Sequence, residues 1–138
     1  KLIMRENLSG SLPEVRPVTT ADDIIRIRTL VNEVYLDEKI EQYIADIVFA
    51  TRYPERYQLA DLKSLITYGG SPRASINLAK AARAYAFLRR RGYVVPEDVR
   101  AVAHDVLRHR IGLSYEAEAN NVSNEEIVSQ IINKVEVP

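Results

Sequence analysis

From Thr19 onward, apolar residues recur at spacings of three and four, and that period predicts helices. Thr19-Thr20-Ala21-Asp22-Asp23 has the form of a helix start, with a threonine cap and acids in the first turn. Behind it Ile24, Ile27, Val31 and Val34 line one face, so a first helix runs to about Glu33. Val34-Tyr35-Leu36 is β-rich and reads as a short strand before the next helix start at Asp37. The second helix carries Ile40, Tyr43, Ile44, Ile47 and Val48 on one side and ends near Tyr53-Pro54. Leu59 to Thr67 holds Leu62, Leu65 and Ile66, a short helical piece that stops at Gly69.

The third helix, Pro72 to Arg91, contains six alanines and a seam of Ala74, Leu78, Ala81, Tyr85 and Leu88. Small side chains let neighbours approach closely, so this is expected to be the most enclosed helix. Its Arg89-Arg90-Arg91 end suits the dipole and Gly92 suits the stop. Pro96-Glu97-Asp98 opens a fourth helix whose stripe is Val99, Val102, Ala103, Val106 and Leu107. Arg110 to Leu113 reads as a short strand paired with Val34–Leu36, and Glu116 to Val122 as a polar loop. Ser123-Asn124-Glu125-Glu126 is a capping box for a fifth helix bearing Ile127, Ile131, Ile132 and Val135. Tyr43, Tyr85 and Tyr93 fall at apolar positions and are expected in the core. The fold class is mostly α: a compact bundle of about five helices, with at most a minimal two-stranded β pairing.

Composition narrows the function classes. The 138 residues make one domain of ordinary soluble composition, 46% hydrophobic and 28% charged. Nineteen Lys/Arg balance nineteen Asp/Glu, so no global field draws in nucleic acid or membrane. The charge is uneven, however: Pro72 to Arg110 holds nine cations against three acids, and Ile111 to the end holds five acids and one lysine. There is no cysteine, hence no disulfide and no thiolate chemistry. No apolar run reaches the roughly 18 residues of a membrane span. Residues 1–18, with Gly10, Pro13 and Pro17, read as a connector or surface strap. A start at Lys1, with Met4 as the only methionine, reads as a piece of something longer.

The candidate chemistry is concentrated at Gly69-Gly70-Ser71-Pro72-Arg73-Ala74. Ser71 is an N-cap candidate, Pro72 suits the first helical position, and the glycines permit a sharp turn before them. Arg73 breaks the pattern. A cation in a first turn is disfavoured by about 0.3–1 kcal/mol. Free N–H groups beside an arginine make a site for an anion such as phosphate; the plain alternative is a surface arginine swung into water. Nothing else looks reactive. No glycine begins a G-x-x-x-x-G-K-S/T loop, and His104 and His109, five apart, do not share a helix face, so no metal site is expected.

Gly-Gly-Ser-Pro-Arg-Ala at 69–74 resembles the sensor-2 motif, G-x-S-P-R-A, of the MoxR family of AAA+ ATPases. Ala-Thr-Arg at 50–52, Arg-Arg-Arg-Gly-Tyr-Val at 89–94, Pro-Glu-Asp-Val at 96–99, Val-Leu-Arg-His-Arg-Ile at 106–111 and the terminal Val-Glu-Val-Pro agree in order, over Val18 to Pro138. The resemblance implies a helical AAA+ lid over residues 19–138, with residues 1–18 the tail of an ATPase core and its connector. It implies that Arg73 reaches the γ-phosphate of ATP, with Ser71 and Pro72 setting its direction. Arg52 is a secondary candidate for a nucleotide or intersubunit contact, with a helix-end salt bridge as its plainer role. Walker A, Walker B and sensor 1 lie outside this chain, so Mg2+ would be held by the core and no hydrolysis is expected of this piece alone. The implied partners are the N-terminal ATPase core, identical subunits of a hexameric ring and von Willebrand factor A-domain proteins, with chaperone-like remodelling in the cytoplasm as the activity. A helical nucleic-acid-binding or protein-interaction module using the basic 73–110 region is the alternative. In that case Lys80, Arg83, Arg89, Arg100 and Arg108 should share one surface.

Overall fold

In the computed structural model the described residues are 15–138 together with Lys1, Met4 and Leu8. The expectation that residues 1–18 form a core tail and connector therefore lies largely outside the described residues. Six α-helices lie within residues 15–138: α1 (Ala21–Glu33), α2 (Glu38–Arg52), α3 (Pro72–Leu88), α4 (Pro96–Leu107), α5 (Tyr115–Ala119) and α6 (Asn124–Lys134). Two short 3-10 turns, Pro54–Tyr57 and Ala60–Leu62, lie between α2 and α3; the helical piece expected over Leu59–Thr67 is reduced to the second of them, and its end is the strand Ile66–Tyr68.

The main helices begin where their caps require. Thr20 accepts the Asp23 N–H while Asp23 accepts the Thr20 N–H, and Ser123 and Glu126 make the same reciprocal pair for α6. The Ser123 N–H and hydroxyl bonds hold the Glu126 carboxyl below its ordinary range. Asp37 caps α2 through the Lys39 N–H.

The core is built by α2, α3, α4 and α6. Ile40, Tyr43, Ile44, Ile47 and Val48 are all buried on α2, and Ile127, Ile131 and Ile132 on α6, as their spacing predicts. On α3 the buried row is Ala74, Leu78, Ala82 and Ala86, four residues apart throughout. The expected seam drifts off this row at Ala81, Tyr85 and Leu88, and Leu88 ends 77% exposed. An i±4 ridge of alanines lets α4 lie close along it, presenting Val99, Ala103 and Leu107.

The strand pairing differs from expectation. β1 (Ile66–Tyr68) pairs antiparallel with β2 (Gly112–Leu113), matching Ile66 with Leu113 and Tyr68 with Gly112. Tyr35 instead makes an isolated parallel bridge with Tyr93, through Tyr35 N–H to the Gly92 carbonyl and Val94 N–H to the Tyr35 carbonyl. The reason is topological. α3 and α4 form an antiparallel hairpin, so the residues after α4 return to those just before α3. The backbone bridge leaves the Tyr93 ring half-exposed instead of in the core. Residues 116–122 are also not all loop: Ser114 caps α5 by accepting the Ala117 N–H, and Ala117 is buried.

α3 ends without using Gly92. Arg91 N–H bonds to the Ala86 carbonyl and Arg90 N–H to that of Phe87, with Arg90 left-handed at φ 59°. This is a Schellman ending, with arginine where glycine is usual. Beyond it the Arg91 guanidinium makes two bonds to Asp98, which is 1% exposed and also accepts the Val95 N–H at 2.9 Å. That carboxylate holds Arg91 above its ordinary pKa, through the hydrogen bonds first and through Coulomb attraction as well, against the opposing effect of desolvation. One acid thus ties the end of α3 to the start of α4.

Candidate functional site

Ser71, Pro72 and Arg73 stand in sequence at the start of α3, and all three are exposed. Ser71 occupies the N-cap position with extended backbone, and Pro72 the first helical position. The Ser71 side chain makes no cap hydrogen bond; its carbonyl accepts the Ala74 N–H at 2.7 Å. Arg73 makes no hydrogen bond, ion pair or ring contact among the described residues. The cation therefore stands beside the positive end of its own helix with nothing to offset either. Such a helix start is complementary to an anion.

What places this start was not read from the sequence. Thr51, in the last turn of α2, is fully buried. Its hydroxyl donates to the Val48 carbonyl at 2.6 Å and accepts the Gly70 N–H at 2.8 Å. Gly69 lies flat against it: a Cβ there would stand 2.4 Å from the Thr51 carbonyl oxygen. So Gly69 serves close approach and not a left-handed turn. The available signal was the stripe Ile47, Val48, Thr51, where a hydroxyl sits at an apolar position.

A groove of about 530 Å³ opens beside the turn, lined by Arg52, Tyr53, Lys63, Tyr68, Gly70 and Ser71 among others, with no acid in its wall. The structure thus brings Arg52 to the same groove as Ser71. Arg52 has no salt bridge among the described residues, contrary to the plainer expectation; its guanidinium lies 6.0 Å from the Tyr53 ring centre. Arg56 lies over the same ring at 5.1 Å, and Lys63 reaches Glu55 at 3.6 Å. These are cations on an aromatic rim, exposed and weakly held.

Three of the five cations of the alternative reading take separate local partners. Arg100 bonds to the Ile132 carbonyl and Asn133, Arg108 reaches Asp105 and Glu125, and Arg89 lies over Tyr85. Two of the five cations of the alternative reading thus serve to hold or flank α6. Among the described residues no cluster of three or more histidines and acids stands ready for a metal, and no helix is long and apolar enough to cross a membrane.

α1 is the anomaly of the fold, since none of its residues is buried. Of the face predicted by Ile24, Ile27, Val31 and Val34, Ile24 and Ile27 are exposed, Val31 is half-buried and Val34, just past the helix, is buried; Ile25 and Leu30 are exposed as well. Ile76, one turn beyond Arg73, is 54% exposed.

Residues 59–131 match the family model described as the AAA lid domain. The chain is 36% identical over 126 residues to the chaperone MoxR1 of Mycobacterium tuberculosis, covering 91% of this chain and 33% of that protein. It is 38% identical over 130 residues to the uncharacterized protein YeaC of Bacillus subtilis, covering 94% and 38%. A crystal structure of an ATPase candidate from Cytophaga hutchinsonii superimposes with a TM-score of 0.90 at 40% identity, over 99% of this chain and 42% of that one. The chain spans about a third of the length of the curated relatives it matches.

Proposed function

The chain belongs to the AAA lid domain family, as the lid of a MoxR-like AAA+ ATPase, and from that premise we propose that Arg73 is its sensor-2 arginine, contacting the γ-phosphate of ATP. The observation that carries the reading is the state of Arg73. An exposed guanidinium without a partner among the described residues stands at the start of a helix whose inner face is packed with alanine. Ser71 leaves its hydroxyl out of the cap, and Pro72 keeps the first turn helical while offering no N–H.

The residues present fit a phosphate. They do not fit its metal, because the groove beside Ser71 has no acid in its wall; in this reading Mg2+ is held by the ATPase core. When bound, ATP supplies the phosphoryl group that is transferred to water. Arg73 balances charge on the oxygens at its end, as arginine fingers do. The exposed apolar residues of α1, with Ile76 beside Arg73, supply surface against which a core would pack. On this reading residues 1–18 are the end of that core and the connector, and residues 19–138 are the lid. The intact protein is a cytoplasmic hexameric ring that couples hydrolysis to chaperone-like remodelling of partners, von Willebrand factor A-domain proteins among them.

The test is steady-state ATP hydrolysis by the intact ATPase that carries this lid, with and without Arg73→Ala. A fall of at least tenfold, about 1.4 kcal/mol of transition-state stabilisation, is expected while the lid stays folded. An unchanged rate makes Arg73 a surface residue and removes the sensor role.

A further inference from the structure

We propose that Thr51 is a positioning residue for Arg73, acting through the Gly69–Gly70 turn; the inference rests on the reading of Arg73 given above. Thr51 continues the buried stripe of Ile47 and Val48 on α2, where valine would fill the same space. A buried hydroxyl costs free energy unless it is hydrogen-bonded. Here it is bonded twice, once to its own helix through the Val48 carbonyl and once across the chain to the Gly70 N–H. The second bond is the informative one. It joins the end of α2 to the residue just ahead of the Ser71 cap, 19 positions along the chain.

The surrounding contacts make the bond a clamp. Gly69 has no room for a Cβ against the Thr51 backbone, and a Cβ on Gly70 would stand 3.3 Å from Ala74 Cβ and 3.4 Å from Val48 Cγ1. The turn is therefore held between the last turn of α2 and the first turn of α3. Ser71 provides no cap bond of its own, so the start of α3 takes its position from Thr51 on one side and the fixed φ of Pro72 on the other. Arg73 is two residues past that cap. A long side chain leaving a displaced helix start carries the displacement to its guanidinium, and a misplacement of about 1 Å can cost as much as a hundredfold in rate. Thr51 touches no reacting atom. Its part is to keep Arg73 aimed.

The experiment uses the intact ATPase with Thr51→Val, Thr51→Ser, Arg73→Ala and the double change Thr51→Val/Arg73→Ala. Thr51→Val is expected to lower kcat by about tenfold or more, with Thr51→Ser within about twofold of wild type because the hydroxyl remains. In the Arg73→Ala background, Thr51→Val should add nothing, since the residue through which it acts is gone. A hydroxyl that only stabilised the domain would lower the rate by the same factor in both backgrounds, and that result overturns the proposal. So does an unchanged kcat for Thr51→Val alongside a large loss for Arg73→Ala. If Arg73→Ala itself is silent, the sensor reading fails first and takes this inference with it. Should Thr51→Val not fold, Thr51→Ala carries the test: it removes the same hydroxyl without adding any atom to the packed turn, and the same pattern of loss and non-additivity is expected.

Discussion

Asp98→Asn perturbs the joint between α3 and α4 while keeping the side-chain volume. One carboxylate oxygen of Asp98 accepts Arg91 Nη1 at 2.7 Å and the Val95 N–H at 2.9 Å, and the other accepts Arg91 Nη2. Every group facing Asp98 in these bonds is thus a donor. Asparagine has one oxygen, so whichever way its amide turns, an NH2 must face a donor. The change removes one charge-assisted hydrogen bond and places two donors against each other at a site 1% open to solvent. Hydrogen bonds to charged groups contribute about 1.5–3 kcal/mol, and breaking a fully buried pair costs about 3–5. Arg91 is 27% exposed and can turn toward water, which places the loss at the lower end. The expected destabilisation is about 2–3 kcal/mol. Urea unfolding of wild type and variant measures it as a shift of midpoint at constant slope. Because Asp98 is buried, the difference should persist in about 1 M salt, where surface pairs are screened. A change below about 0.5 kcal/mol, the size of an ordinary surface substitution, would show that this joint does not hold the hairpin and would refute the reasoning.

Tyr57 donates to Asp46 at 2.7 Å, and its phenol is pushed up to about 12, by burial first and then by the Asp46 carboxylate. A folded pKa above the ordinary value of about 10 favours the neutral phenol in the native state. Its stabilising effect is therefore complete below pH of about 10 and disappears as pH rises toward about 12. Wild type should lose more stability than Tyr57→Phe across that interval; parallel profiles would contradict it. Arg90 is left-handed at φ 59°, a conformation that glycine adopts freely and β-branched residues resist. Arg90→Gly should leave thermal stability unchanged or raise it slightly, whereas Arg90→Val should lower it by about 1 kcal/mol or more, with calorimetry as the readout.

Local signals carried most of the architecture. The stripes of α2, α4 and α6 and the Thr20 and Ser123 capping boxes rest on residues three or four apart, and the Pro-led starts of α3 and α4 on the fixed φ of proline itself. Ser71-Pro72-Arg73 was legible in the same way, because a cation in a first turn breaks a rule that neighbouring residues state. Exposure of the α1 face was not legible. Periodicity reports that Ile24, Ile27 and Val31 share a side of a helix but not whether anything covers that side.

Two further features were decided only by the tertiary fold, for one reason. The pairing of β1 with β2 and the bond from Thr51 to Gly70 join residues distant along the chain, and neither end carries a mark of the other. Gly112 meets Tyr68 because the α3–α4 hairpin returns the chain to its origin. Thr51 meets Gly70 because the packed core brings the end of α2 against the turn into α3. Local patterns sufficed for α1 to α4 and α6, for where those helices begin and for the prominence of Arg73, but not for α5 or for β1. Which surfaces meet, and so what packs against the turn ahead of Arg73, depended on side-chain volumes summed over the core, a property of the packed whole that no local window contains.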